Sequence, residues 1–500
     1  MVLISPNLRV TSYQLIMNRS ELIAQLTRII GPEGVISEPE QLVTYESDAL
    51  RNHRVLPMLV VLPTSTEQVQ GVMRLCDAEG IPVVPRGSGT GLSAGALPVS
   101  DGIVVGLSRM RAILEVDLEN ARARVQPGVL NLWVTQRVAP DGYYFAPDPS
   151  SQQVCSIGGN VAENSGGAHC LKYGFTVNHV VGLTVVLADG EVVHLGGKAV
   201  DKPGYDLVGV LVGSEGTLCI VTEVTLRLVR KPETVSTLQA AFASTDEAGS
   251  AVSEIIAAGI VPAAIEMMDN LSIRAAEAAV HANYPLDAGA ILLVELDGPQ
   301  VEVDEQMVLV RDICAGKGAT SIKLAQNDDE RVLMWKGRKS AFAAMGRISR
   351  DYYVQDGVIP RTALPRVLRE IDALAEQYGL RVANVFHAGD GNLHPLVLFD
   401  STIPGQTEQA GELAGDILHV CVDAGGSITG EHGVGLDKKR HMPAMFSPDD
   451  LDTMQLLRCA VDPGRILNPG KIFPTPRLCG ERPGLYKPHP LQEAGLADLF

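Results

Sequence analysis

Aromatic side chains are scarce, 4% of 500 residues, and Lys plus Arg (41) fall short of Asp plus Glu (59), leaving a formal charge of −18. A nucleic-acid surface needs a basic face interleaved with aromatics for base stacking, so no nucleic-acid partner is expected. No apolar run reaches the about 20 residues that span a bilayer, and the first twenty residues carry neither a continuous apolar stretch nor a small-residue cleavage site. The chain reads as cytoplasmic with no direct membrane span. Its eight cysteines (Cys76, Cys155, Cys170, Cys219, Cys314, Cys421, Cys459, Cys479) form no CxxC pair, so neither a disulfide framework nor an iron–sulfur site is encoded. The two common phosphate loops are missing as well. A GxGxxG fingerprint begun at Gly87 would need glycine at Leu92, one begun at Gly89 would need it at Ala94, and Gly470-Lys471 is followed by Ile472 instead of a hydroxyl residue.

Glycine, by contrast, is abundant at 50 residues. The stretch PRGSGTGLSAG (85–95) follows a short apolar run, and its bare backbone can turn successive N–H groups toward an anion, with Ser88 and Thr90 adding hydroxyl donors and Arg86 a fixed charge. Two further glycine-rich stretches, FAPDPSSQQVCSIGGNVAENSGGAHCLKYG (145–174) and GSEGTL (213–218), also lie beside strand-like sequence. Three such stations call for one large ligand that touches them all.

Five hundred residues exceed what one hydrophobic core supports, so two or more domains are expected. Residues 58–62 and 81–84 read as strands joined by a helix that Ser65 opens, with Gln68 at the capping-box position, Val69, Val72, Met73 and Cys76 on one apolar face, and Gly80 just beyond its end. Residues 102–230 hold many short β-rich runs and suggest a mostly antiparallel sheet, with an exit at Lys231-Pro232. Beyond it, 240–279, 362–379, 411–424 and 449–460 read as helical, with strands near 290–296 and 381–387 and a proline-broken tail from Pro474.

PRGSGTGL, CSIGGNVAENSGG and GSEGTL together are similar to the FAD-binding domain of the vanillyl-alcohol oxidase and p-cresol methylhydroxylase superfamily. The resemblance implies an α+β fold: a two-part FAD-binding domain (56–233) after an N-terminal helical segment (1–55), an α+β substrate or cap domain (234–425), a C-terminal segment that returns to the flavin (426–475) and a tail (476–500). It also implies that Arg86, Gly87, Ser88, Gly89, Thr90, Gly91 and Leu92 hold the pyrophosphate. Pro147, Asp148, Ser156, Gly158, Gly159, Asn160, Asn164 and Gly166 then lie along the ribityl chain and ring, while Glu215 and Gly216 meet the adenine side and Asn468 joins the cofactor-binding set. No histidine lies in 85–95 to tether the ring, so non-covalent FAD is expected; Cys155 is the remaining nucleophile, or simply a small buried residue.

The C-terminal half carries different chemistry. In FHAGDGNLHPL, His387 and His394 flank a turn sequence; on a hairpin they could face one ion, with Glu431 of SITGEHGVG as a third ligand, a zinc-like divalent site with open positions. Two structural histidines on strand ends are the alternative. His432, next to Glu431, points elsewhere if that segment is extended and is free to act as a base. These motifs resemble the 2-hydroxy-acid dehydrogenase branch of the superfamily, in which HxGDGNxH and the Glu of GEHG hold a divalent metal.

WKGRKSAF, GRISRDYYVQDGVIPR and LNPGK extend the similarity to the glycolate-oxidase type within that branch. This implies oxidation of glycolate, with D-lactate or D-2-hydroxyglutarate as alternative substrates. Arg338 either clamps the substrate carboxylate bidentately or makes a surface salt bridge. Where hydroxyglutarate enzymes place Thr and Lys, this chain has Phe342 and Val354, which favours a small monocarboxylate. The resemblance further implies a second flavin-type subunit and an iron–sulfur subunit, bringing the chain to the inner membrane only through partners, with the tail ending in LADLF as a candidate docking segment. A metal-dependent hydrolase could use His387, His394, Asp390 and Glu431 but would not need three glycine stations.

Overall fold

The computed structural model describes residues 17–199 and 204–474; the tail expected to dock a partner lies outside them. Helix Thr66–Glu79 forms as its sequence dictates: the Ser65 side chain accepts from the Gln68 N–H, Val69, Val72, Met73 and Cys76 are buried, and Gly80 closes it at φ 62°. The strands it joins, Leu59–Val61 and Val83–Arg86, do not touch. Ile103–Gly106 lies between them, parallel to both, and Val35–Ile36 completes a four-stranded sheet. The central IVVG is wholly buried, the continuous apolar pattern of a parallel strand covered on both faces. Val83–Arg86 therefore begins two residues later than its sequence suggests and runs to Arg86, so the first glycine loop leaves from the carboxyl end of a parallel strand, where open α/β sheets bind ligands. The returning chain covers that strand's free edge: Leu467 bridges Val83 and the Asn468 N–H donates to the Val83 carbonyl.

A second sheet is antiparallel throughout, in the order Ile113–Asp117, Arg122–Val125, Ile220–Arg227, Val180–Val186, Val192–Gly196. The cap is built on a nine-stranded antiparallel sheet whose central path runs Thr234–Phe242, Ala290–Gly298, Ala264–Asp269, Arg381–His387. Helices Thr245–Ala257, Gln300–Gly316 and Leu364–Tyr378 pack on one face of it, and Asn270–Val280 with Asp328–Ala344 on the other. The helical expectation for 240–279 is thus corrected: the segment is helix Thr245–Ala257, strand Ala264–Asp269 and helix Asn270–Val280, preceded by the end of strand Thr234–Phe242. AIEMMD reads as helical because Ala, Glu and Met favour helices, but burial between two neighbouring strands overrides propensity. The α+β class expected from the sequence is the fold observed.

Candidate active site

The three glycine stations meet around one cavity of about 740 Å³ between the FAD-binding half and the cap, within the size range of ligand pockets. Arg86, Gly87, Ser88, Gly89, Thr90, Gly91 and Leu92 line it, with Ser156, Gly158, Gly159, Asn160, Glu215 and Gly216. Side chains would crowd this wall. A Cβ on Gly87 would lie 2.4 Å from Ser156 Oγ, and Gly89, at φ 71°, would drive one into the Arg86 guanidinium. A basic, bare-backboned wall of this kind fits the pyrophosphate of FAD.

The other residues singled out for the cofactor stand behind the wall. Asn164, left-handed at φ 51°, ends helix Ile157–Glu163 and accepts from the Val177 N–H. The Pro147 carbonyl accepts from Asn131, which also donates to Asn160. Asn468 Nδ2 donates to the carbonyls of Gly95 and Glu215, stitching the first station to the third. Gly166 abuts Glu431, whose Oε2 a Cβ there would approach to 2.6 Å. Asp148 meets His169 at 3.0 Å and Lys339 at 3.5 Å. Glu215, besides lining the cavity, accepts from the Val434 and Gly435 N–H groups at 2.7 Å, so the third station clasps the loop that carries Glu431 and His432.

The hairpin expected at FHAGDGNLHPL is present: His387 pairs with Asn392, and Pro395–Phe399 runs back along Arg381–His387. His387 and His394 lie edge to face with ring centroids 5.1 Å apart. Glu431 Oε1 is 3.5 Å from His387 Nε2 and 3.0 Å from His394 Nε2, and the three side chains offer ligand atoms within 4.8 Å of one another. The outer ring nitrogens are anchored, His387 Nδ1 to Glu266 at 2.7 Å and His394 Nδ1 to the Gln355 carbonyl at 3.3 Å. Glu431 Oε2 is buried without a hydrogen-bond partner. Two imidazoles with fixed outer nitrogens, one carboxylate and an unsatisfied oxygen fit a divalent cation. Burial opposes charge on His387, but Glu266 and Glu431 hold its pKa well above the ordinary imidazole value. Burial likewise works against ionised Glu431, and the two histidines outweigh it, keeping the carboxyl well below its usual range.

His432 does not point away from the ligands as an extended segment would have it. Residues 430–433 form a bend, because the N–H groups of Gly430, Glu431 and His432 all converge on the Asp356 carboxylate. The His432 ring therefore stacks on His394 at 4.9 Å and 8°, and with Glu431 it lines the cavity. Burial pushes its pKa down to about 4. Asp356, His394 and His432 also lie close enough for an ion, but Lys438 Nζ already sits 3.1 Å from Asp356.

Arg338 lies elsewhere. It is 2% exposed, outside the cavity lining, and ion-paired with Glu266 at 2.6 Å. On helix Asp328–Ala344, Lys339 and Phe342 share the cavity-facing side one turn apart, and Arg338, one residue round, is turned into the core. Phe342 and Val354 both line the cavity, as does Cys155, whose thiol contacts Asn160 and is raised by burial. Asp356 and Lys339 lie within GRISRDYYVQDGVIPR and WKGRKSAF, which assigned neither of them a role, and Glu266 gave one signal, an acidic residue in a largely apolar segment.

Comparison with known proteins decides the family. The model described as "FAD binding domain" matches residues 57–196, and "FAD linked oxidases, C-terminal domain" matches 231–472. The chain belongs to the FAD-linked oxidases. Among relatives of this FAD-linked oxidase, glycolate oxidase subunit GlcD of Escherichia coli (strain K12) is 51% identical, covering 95% of each chain. The Bacillus subtilis (strain 168) protein of that name is 39% identical over 90% of this chain and 96% of its own, and D-lactate dehydrogenase of Archaeoglobus fulgidus is 32% identical over 85% and 96%. Among solved structures, p-cresol methylhydroxylase superposes with a TM-score of 0.77 at 20% identity, covering 91% of this chain and 96% of that one, a likeness of fold alone.

Proposed function

We propose that this FAD-linked oxidase converts glycolate to glyoxylate, and that it works as one subunit of a complex. The observation that carries the reading is the meeting of two chemistries at one cavity: the glycine-lined wall, and Glu431 and His432 opposite it, with His387 and His394 behind them. The near-full-length similarity to proteins named glycolate oxidase subunit supports the same substrate.

When bound, FAD supplies a hydride acceptor and a divalent ion at His387, His394 and Glu431 supplies a Lewis acid for the substrate hydroxyl. The chain's own groups then have distinct tasks. His432, neutral at physiological pH, receives the hydroxyl proton. Lys339, the cavity-facing cation of its helix, meets the substrate carboxylate, the task the sequence suggested for Arg338. Phe342 and Val354 present apolar surface to the cavity, which favours a substrate without a second carboxylate. FAD is held non-covalently, there being no histidine in 85–95 and Cys155 being a buried, protonated thiol. The complex comprises a second flavin-type subunit and an iron–sulfur subunit, which bring the chain to the inner membrane from the cytoplasmic side.

Anaerobic mixing of the yellow protein with glycolate, D-lactate and D-2-hydroxyglutarate tests this directly. Glycolate should bleach the flavin fastest. Faster bleaching by D-lactate would move the assignment to that substrate, and no bleaching by any of the three would overturn the reaction class.

A further inference from the structure

Arg338 and Glu266 form an ion pair almost wholly out of solvent, with side chains 3% and 1% exposed and Nη2 2.6 Å from Oε2. Removing both charges from water is costly, and such a pair is weak evidence of stability for its own sake. Its neighbours suggest what it serves. Glu266 on strand Ala264–Asp269 stands directly opposite His387 on strand Arg381–His387, and its other oxygen lies 2.7 Å from His387 Nδ1. A carboxylate oxygen accepts, so it takes the Nδ1–H and leaves Nε2 as the ring atom turned to Glu431 and to a bound ion. His394 has a neutral counterpart, the Gln355 carbonyl, at a longer 3.3 Å. The two histidines are therefore held by different means, and the charged one is backed by Arg338.

We propose that Glu266 and Arg338 are positioning residues for the divalent-ion site, Glu266 setting the tautomer and orientation of His387 and Arg338 holding the Glu266 carboxylate in place. Arg338 thus acts on the metal centre through two intermediaries, Glu266 and His387. The inference rests on the reading of His387, His394 and Glu431 as metal ligands. It assigns a task to the arginine that sequence alone connected with the substrate carboxylate.

The test uses the FAD-loaded full chain, stripped with chelator and titrated calorimetrically with Zn2+ and separately Co2+, in wild type, E266Q, E266Q/R338M and R338K. The double variant exchanges a buried ion pair for neutral groups of similar size, so folding is retained even where a single charge deletion is not tolerated. Outer partners of ligating histidines are worth about 10–100-fold in affinity. E266Q and E266Q/R338M should lose that much metal affinity at unchanged FAD content, R338K should keep most of it, and glycolate KM at saturating metal should stay near wild type. Equal affinity in wild type and double variant would overturn the proposal. So would a raised KM in R338K with intact metal binding, which would put Arg338 on the substrate. Absence of divalent binding in wild type would refute the ligand assignment itself and this inference with it, a result distinct from the other two.

Discussion

Burial makes His432 a poor place to store a proton, His394 and Lys438 add to the effect against the carboxylates of Asp356 and Glu431, and its pKa is held down to about 4. The ring therefore starts each turnover unprotonated. Replacing it with Gln should slow flavin reduction by glycolate about 10²-fold or more while substrate affinity changes little, as stopped-flow traces at several glycolate concentrations would show. An unchanged rate would place the base elsewhere. The histidines proposed to hold the divalent ion should behave differently. His387→Ala and His394→Ala remove groups that the glycine-lined wall does not use, so the FAD spectrum should survive while bound metal, counted by elemental analysis, and turnover are both lost. Full activity in metal-stripped wild type would count against the site. The first glycine loop has no histidine and Cys155 is buried, so acid precipitation should release the yellow colour into the supernatant; a yellow pellet would mean a covalent link.

Elements were legible where their signals are local. Ser65, Gln68 and Gly80 mark one helix, Gly379 ends another, and the strand Arg381–His387 has the bounds its apolar run suggests. The hairpin that brings His387 to His394 could be read from GDGN alone. What could not be read depends on partners distant in sequence: Ala264–Asp269 is a strand because neighbours on both sides claim its hydrogen bonds, and Arg338 faces inward because Glu266, 72 positions before it, awaits it there. The loop bearing Glu431 and His432 shows the same dependence. Asp356 gathers three of its N–H groups and Lys438, all far along the chain, so no spacing announced it. Asp356→Ala should leave Lys438 buried without its charge partner, destabilising the cap by about 3–5 kcal/mol. Urea unfolding monitored by circular dichroism checks this, and a loss under about 1 kcal/mol would show that the loop is held by other contacts.

At the scale of the whole molecule, the two halves are pinned by a charged sandwich. His169 of the FAD-binding half lies 3.0 Å from Asp148 and 3.1 Å from Glu295 of the cap, and its ring stacks on Trp335, whose Nε1 donates to Glu295. Burial opposes charge on His169, yet the two carboxylates raise its pKa from 6.5 to about 10. A raised folded-state pKa contributes stability that is whole below about 6.5 and is lost as pH rises through about 10. His169→Gln should therefore fall furthest below wild type near pH 6 and converge with it near pH 10 in thermal melts; a constant difference would deny the charge. The halves so joined enclose a site that receives electrons two at a time, and an outlet is needed. Six cysteines in the described residues are free and individually buried, no cysteine appears among the groups that could hold a metal, and no described helix is long and apolar enough to cross a membrane. Two relatives named as subunits are 51% and 39% identical to this chain. The isolated chain, loaded with FAD, should thus be reduced by glycolate and reoxidised by soluble dyes. Its turnover with a membrane-embedded quinone should stay low until an iron–sulfur partner is supplied, and then rise steeply in the same vesicles. Rapid quinone reduction by the chain alone would show that the electrons leave directly from the flavin and that no relay subunit is required.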